Sequence, residues 1–360
     1  MKIIIAGAYT IGTYLAQFLS RNKYNIILID EQEERLNKIG QDYDLLTLQG
    51  KPTSIQILQE ADVKHADLFI AVDPKETTNI TACTMAHHLG AKKTVAKIDN
   101  PEYLESKNQE LFKQLGVDSL IYPELLAAKD IINGLKMSWV RQRWDVRGGA
   151  LVMLGIKLRD TCAILDKPLR EISGPNDPYH IVAIKRRNET IIPGGNETLQ
   201  REDLAYFMTT KEYIPYVRKF TGKEHYVDVK NVMIMGGGRT AVRSVKIMPE
   251  YMDIKIIENS FDRCEYLNEI FDESVLVING DGRDTDLLIE EGIRHTQAFV
   301  ALTPNAETNI LACMAAKSLG VRKTIAAVEN FDYVDMAANL DIGTIINKRA
   351  IAAGYIYQML

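Results

Sequence analysis

Short runs of β-branched and aliphatic residues alternate along the chain with longer amphipathic stretches. Lys2–Ala6, Asn25–Ile29, Leu45–Leu48, Asp67–Val72, Thr94–Ile98 and Ser119–Ile121 read as strands, with helix-length segments between them. Near-continuous apolar strands separated by helices predict a parallel sheet covered on both faces. The same rhythm returns at Asn231–Met235, Ile254–Ile257, Val275–Ile278, Ala298–Leu302, Thr324–Val328 and Thr344–Ile346. Between the two series the pattern changes. Leu151–Leu158, His180–Arg186 and Leu204–Met208 form alternating runs, and Gly174-Pro175, Asn176–Pro178 and Pro193-Gly194-Gly195 carry turn signals. This predicts a small strand-rich α+β segment.

The two series are copies of one another. Gln49–Tyr103 and Asn279–Tyr333 align without a gap at an offset of 230 residues, and 20 of the 55 positions are identical. Upstream the register slips by one or two residues, so that Gly7 faces Gly236 and Asp30 faces Glu258, as surface loops of changed length allow. The predicted fold class is α/β: two Rossmann-like, doubly wound parallel sheets separated by the strand-rich segment. The expected divisions are a first Rossmann-like unit at 1–140, the strand-rich subdomain at 141–222, a polar linker at 223–229 and a second Rossmann-like unit at 230–360.

Composition narrows the function classes. With 46% hydrophobic and 25% charged residues and a net charge of −5, the chain is neither disordered nor shaped for a nucleic-acid backbone. Cys83, Cys162, Cys264 and Cys313 are far apart and form no Cys-x-x-Cys pair, which argues against a disulfide framework or zinc cage and fits a reducing cytosol. The apolar stretch to Leu19 contains two glycines and polar Thr10, Thr13 and Gln17, unlike a signal peptide. No apolar run is long enough to span a bilayer.

The candidate chemistry lies at the first turn of each copy. Strand Asn231–Met235 runs into Gly236-Gly237-Gly238-Arg239-Thr240-Ala241 and then a helix, the context in which G-x-G-x-x-G/A carries physical meaning. The first glycine allows the turn, Gly238 lets a pyrophosphate approach the backbone, and Ala241 permits close helix packing. The helix N-terminus offers free N–H groups to phosphates. Glu258, ending the next strand, is placed to accept from a ribose 2′-OH and to repel a 2′-phosphate, which favours NAD over NADP. The first copy reads Gly7-Ala8-Tyr9-Thr10-Ile11-Gly12, and Tyr9 at the middle glycine position is expected to crowd a pyrophosphate or force the loop outward. Asp30 keeps the ribose half.

The candidate cofactor contacts are Gly7, Tyr9, Thr10, Ile11, Gly12, Asp30, Arg35, Asp73, Asn79 and Lys97 in the first copy. In the second they are Gly236, Gly238, Arg239, Thr240, Ala241, Glu258, Arg263, Asp281, Thr303 and Asn309. Arg35 and Arg263 read either as phosphate or adenine ligands or as solvated ion pairs. Asn79 and Asn309 read as helix caps or crevice lining, and Lys97, facing Ala327, as a cationic lid on one site only. Asp281 could accept from an adenine amine or ribose hydroxyl where its counterpart Lys51 could only donate. Catalytic candidates are scarce: His87 and His88 diverge on a helix, His65 and His295 precede a strand, and Trp139 and Trp144 read as packing anchors. No metal site is expected.

Both copies also carry Thr-Asn-Ile-x-Ala-Cys, at Thr78–Cys83 and Thr308–Cys313. With Met1-Lys2-Ile3-Ile4-Ile5-Ala6-Gly7, Leu48-Gln49-Gly50, Ile121-Tyr122-Pro123-Glu124-Leu125, Ile191-Ile192-Pro193-Gly194-Gly195 and Glu202-Asp203-Leu204, the chain resembles the RCK (KTN) domain family of regulatory subunits of Trk potassium-uptake systems. The resemblance implies a non-enzymatic subunit in the cytoplasm, peripheral to the membrane. It implies that NAD(H), or ATP or ADP in some members, binds the Rossmann crevices, with the effect passed to a membrane potassium transporter subunit of the TrkH or TrkG type. It further implies a homo-oligomer, expected as a tetramer, with helices Glu124–Leu135 and Lys348–Leu360 as crossover elements between Rossmann domains. In the family a second strand-rich subdomain follows the second copy; none follows in these 360 residues. Two other readings stand beside it: an NAD-dependent oxidoreductase with an inserted substrate domain, and a structural subunit with vestigial crevices.

Overall fold

The first parallel sheet is built from β1 (Lys2–Ala6), β2 (Asn25–Asp30), β3 (Leu46–Gln49), β4 (Leu68–Ala71), β5 (Thr94–Lys97) and β6 (Ser119–Ile121) in the order β3-β2-β1-β4-β5-β6. The computed structural model describes every residue except Lys23, Pro175, Asn188 and Val227, and of Phe331 and Asp335 the backbone alone. The turn signal at Pro175 therefore lies outside the described residues. Helices α1 (Thr10–Ser20), α2 (Glu33–Gly40), α3 (Ile55–Glu60), α4 (Glu76–His88), α5 (Ser106–Gln114) and α6 (Pro123–Lys136) follow the strands. One face of the sheet buries Ile3, Ile5 and Ile70 against Leu15 and Leu19 of α1, and the other buries Ile4 and Phe69 against Ala82, Cys83 and Ala86 of α4. Apolar runs are thus continuous because each strand is covered twice.

The strand-rich segment is a five-stranded antiparallel sheet of β7 (Gln142–Val146), β8 (Leu151–Lys157), β9 (Tyr179–Arg186), β10 (Glu189–Ile191) and β11 (Leu204–Thr209), ordered β10-β9-β11-β8-β7, with short helices α7 (Leu169–Ile172) and α8 (Ile214–Phe220). Alternation predicts β8, β9 and β11; it misses the two edge strands. β7 is half polar with no buried position and β10 has three residues, so neither leaves an apolar signature. Trp139 packs into this core, whereas Trp144 on β7 is more than a third exposed beside Tyr206. Only the first of the two tryptophans is a buried anchor.

The second parallel sheet repeats the first. β12 (Asn231–Met235), β13 (Asp253–Glu258), β14 (Val275–Asn279), β15 (Ala298–Ala301), β16 (Lys323–Ala327) and β17 (Thr344–Ile346) run β14-β13-β12-β15-β16-β17, with α9 (Arg239–Lys246), α10 (Phe261–Ile270), α11 (Thr285–Glu290), α12 (Ala306–Ser318), α13 (Phe331–Asn339) and α14 (Lys348–Tyr357). The chain divides into one unit of residues 1–126 with 347–360, and another of residues 127–346. In the first unit α14 places Ala352, Ala353 and Ile356 in the core of the first sheet, with Tyr357 edge-on to Phe18. In the second, Ala127, Ala128, Ile131 and Leu135 of α6 are buried, and a Cβ on Gly134 would touch Ile325 of β16 at 3.4 Å. The helix after the sixth strand of each copy is thus grouped with the other copy's sheet.

Inside the second unit one carboxylate gathers three cations. Asp341 receives Arg141 at 2.6 Å, Arg159 at 2.6 Å and Lys317 at 3.1 Å. Burial alone would raise its pKa, but the charge of Arg141, then the hydrogen bond and charge of Arg159, then Lys317 outweigh burial and hold it at about 2. A carboxyl lowered in the folded state stabilises above its unfolded pKa and loses that contribution as pH falls through the folded value. Asp341→Asn is expected to cost roughly 1–3 kcal/mol at neutral pH, discounted for partial exposure. In thermal melts the gap between variant and wild type should close between pH 4 and pH 2; a gap independent of pH in that window would dismiss the clamp.

Candidate functional site

In both sheets the strand order reverses between the first and fourth strands, which opens a crevice beyond the carboxyl ends of β1 and β4, and of β12 and β15. The glycine turns stand there. Gly7 and Gly236 have φ of +106° and +94°, which suit glycine, and a Cβ on them would lie 2.9 Å from the Asp73 nitrogen and 3.1 Å from the Thr303 nitrogen. Their N–H groups donate to Ile29 and Ile257 at 2.8 Å, prolonging the pairing of first and second strands. The third motif position differs. A Cβ on Gly12 would fall 1.8 Å from the Gly7 carbonyl oxygen, whereas Ala241 sits fully buried in its place.

The middle position corrects a sequence expectation. Tyr9 (φ −86°, ψ −173°) and Gly238 (φ −67°, ψ −179°) share one extended conformation open to any residue, so Tyr9 does not force its loop outward. Its ring lies under the Arg35 guanidinium, 3.6 Å from the centroid. At Gly238 an added Cβ would meet no protein atom within 4 Å. The chain's own packing does not require glycine there.

The acids at the ends of the second strands brace these turns. Asp30 accepts from the Ala8 N–H at 2.7 Å and the Gln32 N–H at 2.9 Å, with Arg35 at 3.4 Å. Glu258 accepts from the Gly237 N–H at 2.7 Å and the Ser260 N–H at 2.9 Å. Asp30 is only 3% exposed, while Glu258 is half-buried and keeps an accessible edge. Of its two readings Arg35 makes the ion pair, with a buried acid; Arg263 instead donates to the Gly237 carbonyl at 2.8 Å and lies over Tyr266.

Helix α9 begins differently from its neighbours. Side chains of Ser260, Asp284, Asn305 and Asn330 cap α10, α11, α12 and α13, whereas Gly238 gives α9 no side-chain cap. Tyr9 likewise gives α1 none. The start of α9 thus has no capping side chain at Gly238 and stands beside the open space there, where a helix N-terminus suits an anionic acceptor. Arg239 and Thr240 open α9, as Thr10 and Ile11 open α1; Ile11 is buried in the core, so it can offer a ligand only its backbone.

Asn79 and Asn309 neither cap a helix nor face the crevice. Asn79 accepts from the Asp73 N–H at 2.7 Å and donates to the carbonyls of Asp73 and Lys97 at 2.8 and 2.9 Å; Asn309 binds Thr303 and the Ala327 carbonyl in the same way. Both are fully buried and staple the ends of the fourth and fifth strands. Lys97 is held by Asp99 at 3.1 Å. Asp281 is paired with Arg283 at 2.6 Å, whose side chain and then backbone N–H hold its carboxyl below the ordinary range. Sequence reading missed Arg283 and also Glu76, which accepts from the Asp99 and Asn100 N–H groups at 2.8 and 2.9 Å. Glu76 faces Ala306 in the other copy, so the duplication carried no signal for it.

The TrkA-N domain model matches residues 3–123 and again residues 232–348, and the TrkA-C domain model matches residues 153–222. This chain belongs to the TrkA family. Among its TrkA relatives are the Trk system potassium uptake proteins TrkA of Halomonas elongata, 29% identical over 98% of this chain and 78% of the relative, and of Haemophilus influenzae, 30% identical over 98% and 78%. A TrkA homolog of Archaeoglobus fulgidus is 28% identical over 100% of this chain and 81% of its own length. Among solved structures, the GsuK RCK domain superposes with a TM-score of 0.69 at 16% identity, covering 100% of this chain and 76% of that one. The GsuK channel bound to NAD gives 0.69 at 16% over 99% of this chain and 63% of the channel. At this identity the likeness establishes the RCK fold.

The TrkA staple has a measurable cost. Asn309→Ala leaves the half-buried Thr303 and Ala327 backbone groups without their partner and is expected to lower the unfolding free energy by about 1–3 kcal/mol. Urea denaturation reads this directly, and a loss below about 0.5 kcal/mol would contradict the staple. Gly12→Ala should be more damaging than Gly238→Ala, because only the former drives a Cβ into backbone.

Proposed function

We propose that this TrkA-family chain is a nucleotide-binding regulatory subunit of a potassium-uptake system. The observation that carries the reading is the uncapped start of α9 beside a glycine whose Cβ position is free of protein atoms. An NAD(H) diphosphate would lie against the N–H groups of Gly238, Arg239 and Thr240, and its ribose hydroxyls would reach the accessible edge of Glu258. Bound there, the nucleotide supplies negative charge to a helix end that Gly238 does not cap. ATP or ADP offers the same phosphate chemistry. The GsuK channel solved with NAD and GsuK solved with ADP support both.

In the first copy the Tyr9–Arg35 stack stands at the corresponding place and Asp30 is buried, so that crevice is the weaker site. The division into two nucleotide-binding lobes, at 1–140 and 230–360, with the strand-rich subdomain at 141–222 and the linker at 223–229 between them, belongs to this proposal. So do a non-enzymatic role, a cytoplasmic position at the membrane's inner face, a TrkH- or TrkG-type membrane partner and a homo-oligomeric, tetrameric ring. A ligand shifts such an assembly only by binding its states unequally.

Calorimetric titration with NADH, NAD, ATP and ADP tests the reading, and absence of binding by all four would reject it. Gly238→Tyr should weaken binding at least tenfold, while Tyr9→Gly should leave it unchanged or tighten it. The reverse order would count against the second copy as the stronger site. Steady consumption of bound NADH with small carbonyl compounds would favour an oxidoreductase instead.

A further inference from the structure

A second concave site lies within residues 127–346, away from the glycine turn. It is a cavity of about 370 Å³ at the amino ends of β15 and β16, reached by Tyr226 of the linker and by Arg294, His295, Gln297, Arg322 and Lys323. That volume falls in the ~300–1,000 Å³ range of small-molecule sites. Apart from the tyrosine, every ionisable side chain on its wall is a cation or a histidine, and no described acidic residue lines it.

Lys323 is the deepest of these groups, 2% exposed. Its ammonium donates to the Val140 carbonyl at 2.9 Å and the Thr344 hydroxyl at 3.0 Å, both neutral acceptors. An ammonium has three donors, so one is left over. Burial and then the neighbouring Arg141 push its pKa down to about 7. The Arg141 charge is itself answered by Asp341, whereas among the described residues neither hydrogen-bond partner of the Lys323 ammonium is an acid. Gln297 adds to the polarity of the wall: its side-chain oxygen already accepts from the Lys230 and Asn231 N–H groups, so only its amide donors remain. Behind Tyr226 stands a further buried ammonium, Lys223, 5.1 Å from the ring centroid.

A wall of donors with like charges and no acid is unfavourable for the chain alone and complementary to a compact anion. We propose that this cavity binds a small phosphorylated anion, held by Arg294, Arg322 and Lys323, at a site separate from the dinucleotide crevices. Guanidinium pairs suit the geminal oxygens of a phosphate, and the ligand would join the linker at Tyr226 to the sheet at Lys323.

Inorganic pyrophosphate is the probe, titrated calorimetrically into the whole chain at fixed ionic strength. Arg294→Ala/Arg322→Ala, both exposed positions, should weaken a pyrophosphate site at least tenfold and abolish the rise in melting temperature that pyrophosphate gives the wild type. Gly238→Tyr should leave that site intact, as should the exposed control pair Lys38→Ala/Lys113→Ala. Absence of binding at millimolar pyrophosphate overturns the proposal. So does a loss that follows Gly238→Tyr instead of the arginine pair, or an equal loss in the control pair.

Discussion

Each Rossmann-like sheet depends on one carboxylate at the tip of its second strand. Asp30 and Glu258 each accept two backbone N–H groups, one from the glycine turn and one from the residue two further along their own chain. Hydrogen bonds to a charged acceptor are roughly twice as strong as neutral ones, so the turn is fixed against the second strand before any ligand arrives. On its other side the turn rests on the fourth strand's end, where Asp73 and Thr303 are stapled by Asn79 and Asn309. A positive φ at Gly7 and Gly236 is what lets the chain pass between these two supports. The same carboxylate therefore serves structure first, and what remains exposed of it is what can serve a ribose.

Much of this was legible in the sequence because it rests on covalently local or duplicated features. All twelve parallel strands lie within a residue at each end of the apolar runs, and four of them, β1, β6, β12 and β17, coincide with those runs. The turns, their acids and the Thr-Asn-Ile-x-Ala-Cys signature stood out because they occur twice. What was not legible depends on contacts between distant residues. That Asn79 and Asn309 spend their side-chain hydrogen bonds on the ends of the fourth and fifth strands cannot be read from a helical position, and caps and staples look alike in one dimension. Tyr9 was read as crowding a pyrophosphate or forcing its loop outward, and the extended backbone at that position, open to any residue, removes the second of these without being visible in the sequence. The edge strands β7 and β10 were silent because neither buries a full apolar face.

Duplication followed by divergence explains why the copies differ where they do. Positions that hold the sheets together are matched: the glycine with positive φ, the acid, the asparagine staple, and the buried cysteines Cys83 and Cys313, whose thiols burial pushes up in pKa. Positions that face outward from the turn are not. Tyr9 against Gly238, Lys51 against Asp281 and Lys97 against Ala327 change the surface without touching the staples. In one copy an arginine covers an aromatic ring above a buried acid; in the other an arginine is drawn to a turn carbonyl and leaves the acid's edge accessible. Two sheets with the same skeleton can thus present unequal chemistry to one ligand.

The second sheet also bears charge at its other end. β16 ends at the Ala327 carbonyl, which receives Asn309 beside the crevice, and begins at Lys323, whose ammonium reaches Val140 and Thr344. Asp341, which precedes β17, holds Arg141 and Arg159 from the segment before and within the antiparallel sheet. Asp341 answers three cations. Lys323 answers none of the acids, and an anion that reached it would change its charge balance more than any other group on the strand.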